Sequence, residues 1–210
     1  MKLLPAAFAA LGLLGAAQAD AAPILSEVFY DAVGSDDGQS FIEIWGVPGT
    51  SLAGFTIEAI NGTGGAVTHS LALSGTIGAS GLFVVADGLA GGLSTSVANA
   101  DLILDFDFQN GPDSVVLRGA GGILDAVGYG TFAAGDVFAG EGAPTLDPAP
   151  GSAIARWFAN VDSDDNALDW SAAAPSPGAA PIRALPEPAP LLLLAPLGAL
   201  VLVRRRLVTA

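Results

Sequence analysis

"SVVLRGAGGILDAVGY", Ser114–Tyr129, decides how this chain is read. Two runs of β-branched and apolar residues, Ser114–Arg118 and Ile123–Tyr129, flank a glycine-rich step. Branched and aromatic side chains suit a pleated, half-buried surface. Glycine supplies the positive φ that a tight turn requires. The stretch therefore reads as a β-hairpin. The same rhythm continues on both sides, with short runs separated every eight to twelve residues by Gly, Asn, Asp and Ser: Ile24–Tyr30, Phe41–Trp45, Gly54–Ile60, Ala66–Leu73, Leu82–Ala86, Leu102–Phe106 and Ser152–Phe158. "INGTGGA" (60–66) places Asn-Gly between two of them, a second hairpin. No segment holds a 3.6-residue period for three turns, so the pattern predicts an all-β sandwich. Residues 130–151 read as a long loop, and 171–188 as an extended, poorly packed Pro/Ala linker.

Within Phe41–Trp45, Ile42 and Ile44 share one face, and Phe41, Glu43 and Trp45 the other. Glu43 between two aromatics is expected to be half-buried and to need a partner or a wet edge.

Both ends carry handling signals. Residues 1–19 read as a secretory signal peptide: Lys2, an apolar stretch, then the small-x-small step Ala17–Ala19, with signal peptidase cutting between Ala19 and Asp20. At the other end Pro186-Glu187-Pro188 precedes fifteen predominantly apolar residues, Ala189–Val203, and then Arg204, Arg205 and Arg206. As a short C-terminal hydrophobic helix that run reaches about 22 Å, short of a hydrocarbon core of about 30 Å. Pro196 would kink it. The arginines would keep the C-terminus cytoplasmic and the acidic body outside. The tail is thus a temporary hold on the inner membrane more than a lasting anchor.

Composition narrows the chemistry. The net charge is −14, from seven Lys+Arg against 21 Asp+Glu. Between the two end segments the only cations are Arg118, Arg156 and Arg183. Such a body repels phosphate backbones, so nucleic acid is not an expected partner. With no cysteine, a thiol nucleophile, thiolate metal sites and a disulfide scaffold are excluded. His69 is the single histidine, which excludes multi-histidine zinc; no G-x-S-x-G, phosphate loop or dinucleotide fingerprint occurs. Trp45, Trp157 and Trp170 could stack on sugars, but Trp157 and Trp170 are assigned to packing.

Two acidic loops remain. "DSDDNALD" sets oxygens at Asp162, Asp164, Asp165, Asn166 and Asp169; "YDAVGSDDG" adds Asp31, Asp36 and Asp37. Oxygen ligands at such spacing suit Ca²⁺, and the loops are expected to meet at one end of the sandwich. The competing role for the same residues is Asx-turns and caps. Arg156 either pairs with an acid such as Asp162 or Asp169, pinning the closing segment, or is solvated. No cofactor is required; Ca²⁺ is the ion these loops can take.

In four ordered patches the body resembles a bacterial lamin-tail domain, over roughly residues 24–178. These are "ILSEVFYDAVGSDDGQSFIEIWG" (24–46), "SLAGFTI" (51–57), "FQNGPDSVVLRGAGGILDAVGYG" (108–130) and "SAIARWFANVDSDDNALDWSAAAPSPG" (152–178). Ser40 and Gly46 depart from the family's usual acid and Asn. The resemblance implies an immunoglobulin-like β-sandwich, with no common catalytic activity in the family. The tail resembles a PEP-CTERM sorting signal. That implies an exosortase-type enzyme as partner and a destination in the cell envelope or an extracellular polysaccharide matrix. The domain plan is signal peptide 1–19, lamin-tail-like domain 20–178, linker 179–185 and sorting segment 186–206. The expected function is a non-enzymatic, exported binding or adhesion module, Ca²⁺-bridged to polysaccharide or envelope components. The alternative is a secreted hydrolase with a site near His69 or the acidic loops.

Overall fold

The computed structural model describes residues 21–184. The signal segment with the Ala19–Asp20 step, and Pro186–Pro188, the apolar run and Arg204–Arg206, lie outside the described residues. Among the described residues, no helix is long and apolar enough to cross a membrane.

The described residues form ten strands: β1 (Ile24–Phe29), β2 (Phe41–Trp45), β3 (Thr56–Asn61), β4 (Val67–Ala72), β5 (Leu82–Asp87), β6 (Leu102–Leu104), β7 (Asp113–Gly119), β8 (Gly122–Tyr129), β9 (Ala153–Arg156) and β10 (Trp170–Ala173). One sheet has the order β10-β9-β1-β2-β5-β6, the other β4-β3-β7-β8. Every pairing is antiparallel except β5 with β6. The all-β sandwich expected from the sequence is the observed architecture.

Strand alternation builds the core. Val115 and Leu117 of β7 and Val127 and Tyr129 of β8 meet Leu25, Val28, Ile42, Ile44, Phe83 and Val85 of the larger sheet. The β7–β8 hairpin closes with Gly119 opposite Gly122, whose φ of 122° only glycine adopts without strain. The 60–66 hairpin also forms, but its positive-φ corner falls at Gly64 and Gly65, not at Asn-Gly. Asn61 Oδ1 instead accepts from the Thr63 amide, an Asx-turn that starts the loop. The one turn of helix, α1 (Asn166–Asp169), is started by Asp165, whose carboxylate accepts from the Ala167 amide.

Two contacts between the sheets close opposite ends of the core. Near the end of β1, Tyr30 stacks on Tyr129 with ring centroids 4.3 Å apart. Their hydroxyls reach Asp147 Oδ1 at 2.6 Å and the Gln109 carbonyl at 3.0 Å. Near its start, Arg156 of β9 meets Asp125 of β8 at 2.8 Å.

The segment read as a loose linker is packed from its first residue to about Pro181. Trp170–Ala173 pairs with β9, and Ala174–Ala180 then straps the outer face of the larger sheet. Ala180 is buried against Leu82, Ala159 and Trp45, and the Pro181 carbonyl accepts from the Ala159 amide. The strap docks mainly by hydrogen bonds, so hydrophobic periodicity does not reveal it.

Candidate functional site

The acidic residues sort into three groups. The first is an ion network around Arg156. Asp125 shares the inward phase of Val127 and Tyr129 on β8, so its carboxylate enters the interior. One of its oxygens accepts from the Leu25 amide at 2.6 Å and the other from Arg156 Nη2 at 2.8 Å. Arg156 Nη1 also reaches Asp162 at 3.1 Å and Asp169 at 2.9 Å, while Nε donates to the Leu25 carbonyl at 2.8 Å. The guanidinium carbon lies 4.9 Å from the Trp170 ring centroid, a cation–π arrangement. Pairing with Asp162 and Asp169 is therefore confirmed, and the solvated alternative is excluded by 2% exposure. The sequence reading missed Asp125; an acid in phase with Val127 and Tyr129 was its signal.

Charge states follow from position. Burial lifts the Asp125 pKa despite Arg156. Burial, with Asp125 and Asp162 nearby, pushes Glu141 up to about 8. Its Oε2 is enclosed and has no hydrogen-bond partner. Burial also opposes ionisation of Asp169, but the Ser163 amide and hydroxyl and Arg156 outweigh it and hold that pKa low. Oxygens of Asp125, Glu141 and Asp162 lie within 4.8 Å of one another, a set that could hold a metal ion. A cation there would have to share Asp125 and Asp162 with the guanidinium and displace the Glu141 proton.

Of the ligand set expected within 162–169, Asp162 and Asp169 meet on Arg156, whereas Asp164 is exposed and Asn166 faces other partners. Asn166 is fully buried: its Oδ1 accepts from the Gly128 and Glu141 amides at 2.9 Å each, and its Nδ2 donates to the Ala126 carbonyl at 2.8 Å. Strand β8 ends its sheet, so this side chain satisfies backbone groups that a further strand would otherwise pair. Asp165 caps α1, Asp169 is taken by Ser163 and Arg156, and Asp162 by Arg156 and the Asp164 amide. Asp164 sits at φ 57°. The residues that resembled a calcium loop serve as a helix cap (Asp165), edge pairing (Asn166) and ion-pair partners of Arg156 (Asp162 and Asp169).

The second group is the outer carboxylate pair. Glu27 of β1 and Glu43 of β2 are direct cross-strand partners, both with 0% exposure. Glu43 was expected to be half-buried; the strap covers it completely. Ser176 donates to Glu27 from its amide at 2.8 Å and from its hydroxyl at 2.7 Å. Glu43 accepts from the Gly178 amide at 2.7 Å and the Ser26 hydroxyl at 2.8 Å. These neutral donors do not cancel the burial cost. Burial raises the Glu27 pKa, and burial with Glu27 and Asp101 nearby pushes Glu43 up to about 7.

The third group lines an open concavity of about 350 Å³, formed by Gly34, Ser35, Asp36, Asp37, Asp87, Asp105, Phe106 and Asp107. Asp87 is held by the Gly38 and Phe106 amides at 2.7 and 3.0 Å. Asp36 accepts from the Ala32 amide and Asp37 from the Ala90 amide, both as loop ties. Asp105 and Asp107 are exposed, and among the described residues none of these five aspartates pairs with an arginine. Asp31 lies outside the concavity's lining, close to Asp36 and Asp147.

The two acidic loops do not meet. The 162–169 loop packs by Leu25 at the start of β1, and the 30–38 loop follows its end, about 20 Å away for six extended residues. His69 Nε2 accepts from the Asp107 amide at 3.4 Å, and its ring lies 5.8 Å from Phe108. Among the described residues no hydroxyl hydrogen-bonds to it. Trp170 is core, as assigned, whereas Trp157 is 63% exposed and packs nothing away.

Comparison with family models, with curated proteins and with solved structures gave no match.

Proposed function

We propose that this chain is a non-enzymatic, exported β-sandwich of the lamin-tail, immunoglobulin-like kind, serving as a binding or adhesion module. Its C-terminal segment is the address read by an exosortase-type enzyme, which delivers it to the envelope or surrounding matrix. The observation that carries this reading is the open concavity lined by Asp36, Asp37, Asp87, Asp105 and Asp107, in which Asp105 and Asp107 are exposed and, among the described residues, no arginine is paired with any of the five. Carboxylates so grouped attract a divalent cation, and Ca²⁺ accepts six to eight oxygens in flexible geometry. An ion held there with open positions bridges the module to anionic polysaccharide. In this reading Asp36 and Asp37 of the 30–38 loop supply ligands, while Asp162 and Asp169 of the 162–169 loop are engaged by Arg156.

Calorimetric titration with Ca²⁺ tests this. The expected result is a binding heat and a rise in melting temperature at millimolar Ca²⁺, both lost in Asp105→Asn/Asp107→Asn. No heat and no thermal shift in the wild-type protein would remove the cation from the account.

A further inference from the structure

Four exposed apolar side chains lie on three segments that are tied together at the end of the sandwich where the described chain finishes. Trp157 is 63% exposed, Phe158 41%, Leu168 68% and Ile182 45%. Backbone contacts hold their segments together. The Trp157 amide donates to the Asp169 carbonyl at 3.0 Å, next to Leu168. The Ala159 amide donates to Pro181 at 2.8 Å, next to Ile182, and Asn160 exchanges two hydrogen bonds with the backbone of Arg183. Two aromatic and two aliphatic groups left to solvent on neighbouring turns mark a surface that meets something apolar.

The sequence indicates what that is. Only Leu185–Pro188 separate Ala184 from the apolar run Ala189–Val203. Five steps of extended chain span at most about 18 Å. Once the run enters a bilayer, the patch is confined within that distance of the lipid, at a high effective concentration. Trp and Phe favour the headgroup–acyl boundary. Asp162, Asp164 and Asp165 lie on the same loop as Leu168, so the matching surface is zwitterionic rather than anionic.

We propose that Trp157, Phe158, Leu168 and Ile182 form a membrane-interface contact that seats the sandwich on the bilayer while the tail is held there. The inference rests on the membrane-hold reading of the tail. Seated this way, the body turns its acidic concavity, at the other end of β1, away from the lipid.

The test uses the full chain reconstituted into phosphatidylcholine vesicles with brominated or plain acyl chains. The expected result is flotation with the vesicles and a loss of tryptophan emission in the brominated ones. Trp157→Phe abolishes that loss, because Trp170 is buried and Trp45 packs against Leu82. Flotation with equal emission in both lipids overturns the contact and leaves the tail's membrane hold standing. Failure to float overturns both.

Discussion

Replacing Arg156 with alanine is expected to cost about 3–5 kcal/mol of folding stability, the range for removing one partner of a buried ion pair. Arg156 and Asp125 side chains are both fully enclosed. Without the guanidinium, Asp125 keeps a buried charge or takes up a proton, and the Leu25 and Val161 carbonyls lose their donors. Arg156→Lys should recover little, because a single ammonium cannot reach Asp125, Asp169 and the Leu25 carbonyl together. Urea denaturation reads both variants. A midpoint within error of wild type for Arg156→Ala would mean that the network does not join the two sheets.

The second large effect concerns Glu43 and has a defined sign. Its folded pKa is about 7 against an ordinary 4.5, so between those values the folded state keeps a proton that the unfolded state has released. Stability from this group is fully present below pH 4.5 and is lost as pH rises through 7, by about 3 kcal/mol in all. Glu27 is shifted in the same direction, whereas Asp169 is shifted oppositely. The informative quantity is therefore the difference between wild type and Glu43→Gln. The carboxamide of that variant can accept from Gly178 and donate to Ser26 without a charge. The variant should gain on wild type steadily from pH 4.5 to 7 and hold a constant advantage above. Parallel stability profiles across that range would contradict the pKa assignment.

Strand placement was legible because alternation is a direct consequence of the pleat. Ile42 and Ile44 face the core, as Phe41–Trp45 predicts, and the glycine-rich step after Arg118 turns where expected. What escaped the sequence has one common cause. Asp125, Asn166, Ser176 and Gly178 act through hydrogen bonds between segments 25 to 149 residues apart, and polar residues carry no periodic mark of their partners. Asn166 looked like an ion ligand because a carboxamide oxygen serves a cation or a backbone amide equally well. The Pro-Ser-Pro-Gly strap looked like a linker because it carries almost no large apolar side chain. Its necessity was nonetheless implicit: Glu43 between aromatics had to find donors, and β1 and β2 supply only Ser26.

The structural and functional readings meet in the fate of the chain's two ends. Sorting would release an acidic body, three arginines against 20 acids in residues 20–185, whose repulsion the Arg156 network and the strap must withstand. The most direct test is the intact mass of the mature protein recovered from the envelope or medium of its native host. The account predicts a chain that begins at Asp20 and ends near Pro186–Pro188, without Arg204–Arg206. A mature protein that retains its arginine cluster would contradict it.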